Sequence, residues 1–262
     1  MLFRSDIPLN VSRSYLQSDH NVKKISNHIT KKVADRLEEL FKNDRTDFES
    51  KWDDLKIFME YGILSNEKFA EKAKKFFLYK NTDGKYFTIE EYENIIKENQ
   101  TDKNDNLIHL YANNKDEQYT FINAAKEKGY DVLIMNSVLT APLLNKFEQD
   151  NHKNHFVRVD SNVVDKLIEK EDNTKIELNE KERDELEQLF SSVTPKGETN
   201  YFVSFEDLGE NAQPMVITQN EFMRRMKDME SIQGSGGMYG SFPSSYNLVV
   251  NISHPLVKTV IE

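Results

Sequence analysis

The spacing of apolar residues predicts several amphipathic helices in the first hundred residues. Between Val22 and Phe41 apolar residues recur every three or four positions, which is the period of one helix face. This stripe is expected to pack against the helices predicted at Phe48 to Met59 and Glu67 to Tyr79. The segment Thr88 to Glu91 has the spacing of a capping box and predicts the start of another helix. Residues 13–98 are therefore predicted to form a helical layer.

The pattern changes after residue 106. Leu107 to Ala112 and Tyr130 to Met135 are short apolar runs typical of buried strands. Between them, Glu117 to Lys128 has helical spacing and is followed by a glycine suited to a helix C-terminus. This order predicts a βαβ unit with parallel strands. A further helix and strand extend the unit to a small αβα domain over residues 105–168.

The last third of the chain mixes both kinds of element. Charged residues are dense from Glu169, and a helix is predicted from about Asn179. Two strand segments follow, and the second leads into another capping-box pattern at Thr218 to Glu221, with a helix predicted to about Ile232. The predicted fold class is therefore α+β and helix-rich. The predicted divisions are a helical part at 1–104, the αβα part at 105–168, a charged linker at 169–178 and a C-terminal domain at 179–262.

Composition narrows the class of protein. The 262 residues carry a formal net charge of −10, which repels phosphate backbones and disfavours nucleic-acid binding. The absence of cysteine excludes disulfides and cysteine-ligated metals, and it suits a reducing, cytoplasmic location. The most apolar internal run, Val132 to Met135, is far shorter than the ~20 residues that span a bilayer. We expect a soluble protein with no membrane partner.

Familiar site patterns predict neither a metal nor a cofactor in this chain. The glycine-rich segment Gly234 to Gly240 follows a predicted helix and lacks the Lys and Ser or Thr of a phosphate loop, so a loop is the better interpretation. His152 and His155 have no further ligands nearby in sequence and are interpreted as surface residues. The sequence Gly-x-Ser-x-Gly does not occur.

The helix predicted after residue 218 is rich in methionine. Phe222, Met223, Met226, Met229 and Ile232 form an apolar stripe on it, beside several basic residues. Most such stripes pack into a core. The alternative is an adaptable binding face, because methionine is flexible and polarizable and recurs on surfaces that accept many partners.

The segment Pro8 to Gln17 places Arg13 and Gln17 four residues apart at a predicted helix start. Taken alone, such an Arg most often forms a surface ion pair. The segment resembles the ninety-kilodalton heat-shock chaperone family, called HtpG in bacteria, and the resemblance covers essentially residues 5–262. It is also carried by Phe58 to Gly62, Thr88 to Tyr92, Gly129 to Val132 and Asn251 to Pro255.

The resemblance implies a role for each of these features. It makes Arg13 the middle-domain residue that contacts the γ-phosphate of ATP, with Gln17 and Asn10 in the same motif. A planar, permanently charged guanidinium suits that role. ATP and Mg would be held by a separate N-terminal domain of the full-length protein, so this chain is expected to be a fragment with no catalysis of its own.

The resemblance also implies partners. It makes the methionine-rich helix the surface that contacts unfolded client proteins, with Phe222, Met223, Met226, Met229 and Ile232 as contact residues. The full-length protein's own N-terminal domain is a second implied partner. Full-length members are homodimers, whereas this chain is expected to be mainly monomeric, because it ends before the family's dimerisation helices.

Two hypotheses from other classes remain open at this point. One is a small α/β enzyme working at the βαβ unit of residues 105–160. The first βα turn, Ala112 to Asp116, contains no glycine that would admit a phosphate, which disfavours this hypothesis. The other is a passive scaffold for protein interactions that uses its acidic helices.

Overall fold

The computed structural model describes residues 20–168, 179–195, 197, 199–210, 212–233 and 245–261. The chain divides into two compact units, Met1–Leu78 and Tyr79–Glu262, and each is described by itself. The domain boundaries predicted at residues 104, 168 and 178 stay predictions. The fold is α+β and helix-rich, as predicted.

Four helices build the described part of the first unit. They are α1 (His20–Asn43), α2 (Arg45–Ser50), α3 (Trp52–Ser65) and α4 (Glu67–Ala73). Asp44 caps α2, because its carboxylate accepts a hydrogen bond from the amide of Asp47 at 2.9 Å. The Asn66 side chain caps α4 in the same way, through the amide of Phe69 at 3.0 Å. Each cap satisfies an amide that the first helical turn leaves free.

Aromatic rings form the core of this unit. Phe48, Trp52, Phe76 and Phe77 are buried, and the rings of Trp52 and Phe77 meet edge to face with centroids 5.1 Å apart. Gly62 lets α3 approach α4 closely, since a Cβ atom at this position would lie 2.5 Å from the ring of Phe69. A larger residue there would have to displace buried aromatic packing.

One prediction for this unit holds in part and another is wrong. In the apolar stripe of α1, Ile25, Ile29, Val33 and Leu40 are 39–56% exposed. Leu37 and Phe41 of the same stripe are half-buried, and the ring of Phe41 lies 5.5 Å from that of Phe48, so only this end of the stripe packs as predicted. Periodicity identifies an apolar face but does not supply a partner surface for it. The helix predicted at Glu67 to Tyr79 ends at Ala73, because the chain passes into a strand at Leu78.

The second unit opens with a hairpin that the apolar pattern did not predict. It joins β1 (Leu78–Lys80) to β2 (Tyr86–Thr88). Gly84 allows the turn, since its φ of 79° lies in the left-handed region that favours glycine. The capping box at the start of α5 (Ile89–Ile96) is confirmed: the Glu91 amide donates to the Thr88 hydroxyl, and the Thr88 amide donates to the Glu91 carboxylate.

The predicted βαβ unit is confirmed within a three-stranded parallel sheet of order β4-β3-β5. Its elements are β3 (Leu107–Ala112), α6 (Tyr119–Glu127), β4 (Val132–Ile134), α7 (Thr140–Asp150), β5 (Asn154–Arg158) and α8 (Val164–Leu167). Alternate residues of β3 serve opposite faces. Leu110 and Ala112 pack into an aliphatic core with α6, whereas His109 and Tyr111 point to the other face.

A mixed sheet of order β6-β8-β7 forms the end of the chain. Its strands are β6 (Asn200–Glu206), β7 (Met215–Thr218) and β8 (Ser245–Asn251). The helices α9 (Glu180–Val193) and α11 (Pro255–Ile261) contribute to its core, whereas α10 (Glu221–Gln233) follows β7 and packs against α7. β8 pairs parallel to β6 and antiparallel to β7. Leu186 and Phe190 of α9 cover the sheet through Val250, which is fully buried. The start of α9 is fixed by a capping box between Asn179 and Glu182.

The buried His109 should make the stability of the second unit depend on pH. Its ring stacks on Phe156 with centroids 4.6 Å apart, and burial lowers its pKa from 6.5 to about 4. The unfolded chain therefore takes up a proton below pH 6.5 that the folded chain accepts only near pH 4. Stability should be full above this window and fall through it, by on the order of 3 kcal/mol in total.

His109→Phe preserves the aromatic packing and should flatten this pH dependence in urea unfolding followed by far-UV circular dichroism. Fluorescence of Trp52, the single tryptophan, reports the first unit separately. His152→Gln at an exposed position is the matched control and should behave as the parent. An unchanged pH slope in His109→Phe would show that this residue is not responsible.

Candidate functional site

The structure describes some of the predicted site residues and not others. Asn10, Arg13 and Gln17 lie outside the described residues, as does the glycine-rich segment from Gly234. Phe222, Met223, Met226 and Met229 belong to α10 (Glu221–Gln233). Ile232 is in the same helix, but its side chain is outside the described part of the chain. Within the described residues, the candidate site therefore consists of α10 and the surface against which it packs.

The start of α10 differs from its prediction. The capping box at Thr218 to Glu221 is wrong, because Thr218 belongs to β7 and is 2% exposed. Asn220 is the residue that caps the helix, through a 3.2 Å hydrogen bond from the Met223 amide to its side-chain oxygen. The carboxylate of Glu221 therefore does not cap the helix, and it points toward the parallel sheet.

Glu221 is the centre of a network that joins α10 to the sheet. One carboxylate oxygen accepts hydrogen bonds from the Tyr111 hydroxyl at 2.7 Å, Arg224 Nη2 at 2.8 Å and Arg225 Nε at 2.7 Å. The other oxygen accepts from the backbone amide of Arg158 at 3.3 Å. Tyr111 is in β3 and Arg158 is in β5, so one side chain of α10 contacts two neighbouring strands.

Arg225 extends the network to α7. Its Nη1 and Nη2 atoms donate to the two carboxylate oxygens of Glu148 at 2.7 and 3.1 Å. Nη1 also donates to the side-chain oxygen of Asn145 at 3.1 Å, and Nη2 donates to the backbone carbonyl of Phe156. Such a two-pronged pair fixes direction as well as distance, because the guanidinium is planar.

Arg224 adds further contacts between α10 and the parallel sheet. It is 5% exposed, lies 5.5 Å from the centre of the Tyr111 ring, and donates to the Tyr111 hydroxyl and to Asp228. A second link follows from the residues before the helix, where the Gln219 amide donates to the Asp160 carbonyl at 3.0 Å and Arg158 donates to the Gln219 side chain at 3.0 Å. The polar face of α10 is therefore held along its first two turns.

The network keeps Glu221 ionised in spite of its burial. Burial alone would raise the pKa of this carboxyl, but the charges of Arg224 and Arg225 and the hydrogen bonds from Tyr111 and Arg224 outweigh it. The resulting pKa lies below the ordinary value. Burial and the Glu221 charge raise the pKa of the Tyr111 hydroxyl, which therefore stays protonated and acts as a donor. The contact persists as an ion-paired, hydrogen-bonded unit across neutral pH.

The other side of α10 carries exposed apolar side chains. Phe222 is 68% exposed and Met226 is 39% exposed, so neither belongs to a core in this structure. Met223 and Met229 are half-buried, and the sulfur of Met229 lies 3.3 Å from the side-chain nitrogen of Asn145. The predicted stripe thus separates into two outward residues and two that partly pack.

The enzyme hypothesis for residues 105–160 gains no support. A cleft of about 380 Å³ lies at the carboxyl ends of β3 and β4, bordered by Tyr111, Asn113, Met135 and Arg224. The backbone amides of Asn113 and Asn114 both donate to the side-chain oxygen of Gln118, at 2.9 and 3.0 Å. These amides, which would bind a phosphate in a dinucleotide fold, are occupied by the protein itself.

Within the described ranges, no three His, Cys, Asp or Glu side chains are grouped as a metal site would require. Among the helices of that same part of the chain, none combines the length and the apolar character needed to cross a bilayer.

The anchoring residues were not predicted from sequence. Glu221 and Arg225 have the i, i+4 spacing of a helix surface pair, which is a common and unspecific signal. Tyr111 lies in an apolar strand and Glu148 in a charged helix end, and neither pattern shows that they meet. Only the tertiary fold brings the strand and α7 residues of this network to α10, from whose side chains they are 63 to 113 positions away in sequence.

The chain is an α+β protein in which the polar contacts of Glu221, Arg224 and Arg225 fix α10 with apolar side chains exposed on its other face. Residues 4–262 match the sequence model of the family described as Hsp90 protein. The chain belongs to this family of heat-shock chaperones.

Curated relatives point to the bacterial branch. The chain is 56% identical to the chaperone protein HtpG of Bacteroides fragilis strain YCH46, over 98% of this chain and 38% of the relative. It is 53% identical to HtpG of Bacteroides thetaiotaomicron and 51% identical to HtpG of Porphyromonas gingivalis, with the same coverage. The chain therefore spans about 38% of the length of these relatives.

Breaking the Arg225 anchor should destabilise the second unit. Arg225→Met leaves the carboxylates of Glu148 and Glu221 partly unpaired at a site where the Arg225 side chain is 11% exposed. Loss of one partner of a buried pair costs about 3 kcal/mol or somewhat less at this partial exposure. Far-UV circular dichroism during urea unfolding would measure the loss.

Lys181→Met provides the matched control, because it removes a pair with Glu185 whose side chains are 87% and 69% exposed. We expect a change within about 0.5 kcal/mol for this variant. Equal losses in the two variants would contradict a special contribution of the Arg225 anchor.

Proposed function

We propose that this chain is the part of an ATP-dependent chaperone that binds unfolded segments of client proteins through α10. The observation that carries the proposal is the exposure of Phe222 and Met226 on a helix whose opposite face is held by ion pairs. Contiguous exposed apolar groups on a fixed support tend to mark binding sites. Membership of a chaperone family supports the same assignment.

The side-chain chemistry suits a broad range of clients. Methionine and phenylalanine offer large apolar contact area without directional hydrogen bonds, and methionine adapts its shape to different partners. Lys227 and Arg224 flank the stripe along the helix, but Arg224 is committed to Glu221 and Asp228. The proposed recognition is therefore of exposed apolar side chains rather than of a charge pattern.

The second part of the proposal concerns ATP. Arg13, with Gln17 and Asn10, is proposed to contact the γ-phosphate of a nucleotide held by a separate domain of the full-length protein. The family assignment supports this role, and the chemistry of a guanidinium suits charge developing on a transferred phosphoryl group. The 262-residue chain itself is proposed to bind neither ATP nor Mg and to hydrolyse nothing. A cytoplasmic location and a homodimeric full-length protein complete the proposal.

Removing the exposed side chains should weaken client binding without unfolding the chain. We expect Phe222→Ser combined with Met226→Gln to lower the affinity for a reduced, carboxymethylated unfolded protein by about tenfold or more, measured by fluorescence anisotropy. Stability should change little, because truncation of exposed apolar groups costs far less than the ~2–5 kcal/mol of buried ones. Met229 is left intact because it partly packs against Asn145.

The matched control is Phe58→Ser combined with Tyr61→Gln, which removes two residues of α3 that are 73% and 65% exposed. Client affinity should be unchanged in this variant. If the α10 variant binds unfolded protein as tightly as the parent, or if it unfolds many degrees earlier, α10 is not the client site.

In a full-length family member that carries this segment, Arg13→Ala should slow ATP hydrolysis by a factor on the order of 10³ or somewhat less. Nucleotide affinity should barely change, because the proposed contact forms with the transferred phosphoryl group. Steady-state hydrolysis and a separate nucleotide titration would measure the two effects. Turnover at the parent rate would refute the role proposed for Arg13.

A further inference from the structure

The network around Glu221 fixes the rotation of α10 about its own axis. Successive residues of an α-helix point about 100° apart, so Phe222 points about 100° away from Glu221 and Met226 points to the same side as Phe222. Glu221 and Arg225 point together toward the sheet and α7, where their partners are Tyr111 and Glu148. The direction of the outward side chains is therefore set by the inward ones.

A rotated helix would be costly in two ways. A shift by one residue would bring Phe222 toward the Tyr111 hydroxyl and the Arg158 amide, which would lose the acceptor that Glu221 gives them. It would also separate Arg225 from the Glu148 carboxylate and the Phe156 carbonyl, which lie outside the helix. Polar groups buried without a partner cost far more than a hydrogen bond gains, so the network strongly selects one rotation.

We propose that Glu221 is a positioning residue for client binding. It acts on the orientation of α10 and does not itself contact the client. Its carboxylate holds α10 in the rotation that presents Phe222 and Met226 outward as one preordered surface. The reason that this matters for affinity is entropic: a surface ordered before binding loses less freedom when the client arrives. Tyr111 contributes to the same positioning from β3. The inference rests on the proposed client-binding function of α10.

Glu221→Gln tests the inference, since it keeps the shape and one acceptor but removes the charge shared by Arg224 and Arg225. The affinity for the carboxymethylated unfolded protein should fall about tenfold, with an unchanged circular dichroism spectrum at the binding temperature. Tyr111→Phe removes only the hydroxyl and should weaken binding in the same direction by about threefold. It keeps the test valid if Glu221→Gln does not fold.

Two controls separate positioning from general stability. Phe190→Leu destabilises the core under the β6-β8-β7 sheet, away from the α10 contacts described above, and should leave client affinity unchanged. In the Phe222→Ser, Met226→Gln background, Glu221→Gln should cause no further loss, because the surface that it orients is already gone. A global loss of stability would instead lower the residual binding further, and the unchanged circular dichroism spectrum excludes a local loss of the helix.

Each alternative outcome is decisive. Parent-like affinity in Glu221→Gln and Tyr111→Phe, with weakened binding in Phe222→Ser, Met226→Gln, would overturn the positioning role and leave the client site in place. An equal loss in Phe190→Leu, or a full further loss in the combined variant, would also overturn it. Parent-like binding in the Phe222→Ser, Met226→Gln variant would instead overturn the proposed function on which the inference rests.

Discussion

A buried carboxylate remains charged only if enough hydrogen-bond donors surround it. Glu221 is such a carboxylate, and its donors form the contact between α10 and the parallel sheet. Three side-chain donors converge on one of its oxygens, and a backbone amide of β5 reaches the other. Removing any donor would shift the balance between desolvation and attraction, because both are large in a site of low dielectric. The position of α10 is consequently specified by polar geometry more than by apolar packing.

This mode of attachment has a consequence for the other face of the helix. A helix that docks through an apolar stripe must bury that stripe, and little apolar surface is then left for a partner. α10 docks through Glu221, Arg224 and Arg225, so Phe222 and Met226 are not needed for attachment. Polar docking thus reconciles a fixed helix with an exposed apolar surface.

Sequence reasoning predicted the parts of the fold that depend on local pattern. The βαβ unit follows from two apolar runs separated by a segment of helical period, and the capping box at Thr88 follows from two residues three positions apart. The failures share one cause. The fate of the α1 stripe, the end of α4 before β1 and the true cap of α10 each depend on what lies nearby in space. Glu221 has the spacing of a capping-box residue, but its carboxylate instead accepts hydrogen bonds from four donors outside the capping motif.

The candidate site shows the same division between local and tertiary information. The composition of α10 offered Phe222, Met226 and three further residues as a possible binding face, but an apolar stripe at helical spacing more often packs into a core. What distinguishes the two is the attachment of the opposite face, and its partners Tyr111, Glu148 and Arg158 carry no sequence signal that links them to α10. Because Tyr111 and Arg158 lie on paired strands, a shift of those strands would reach the helix through Glu221. The surface proposed to contact a client and the sheet behind it are therefore linked through one carboxylate.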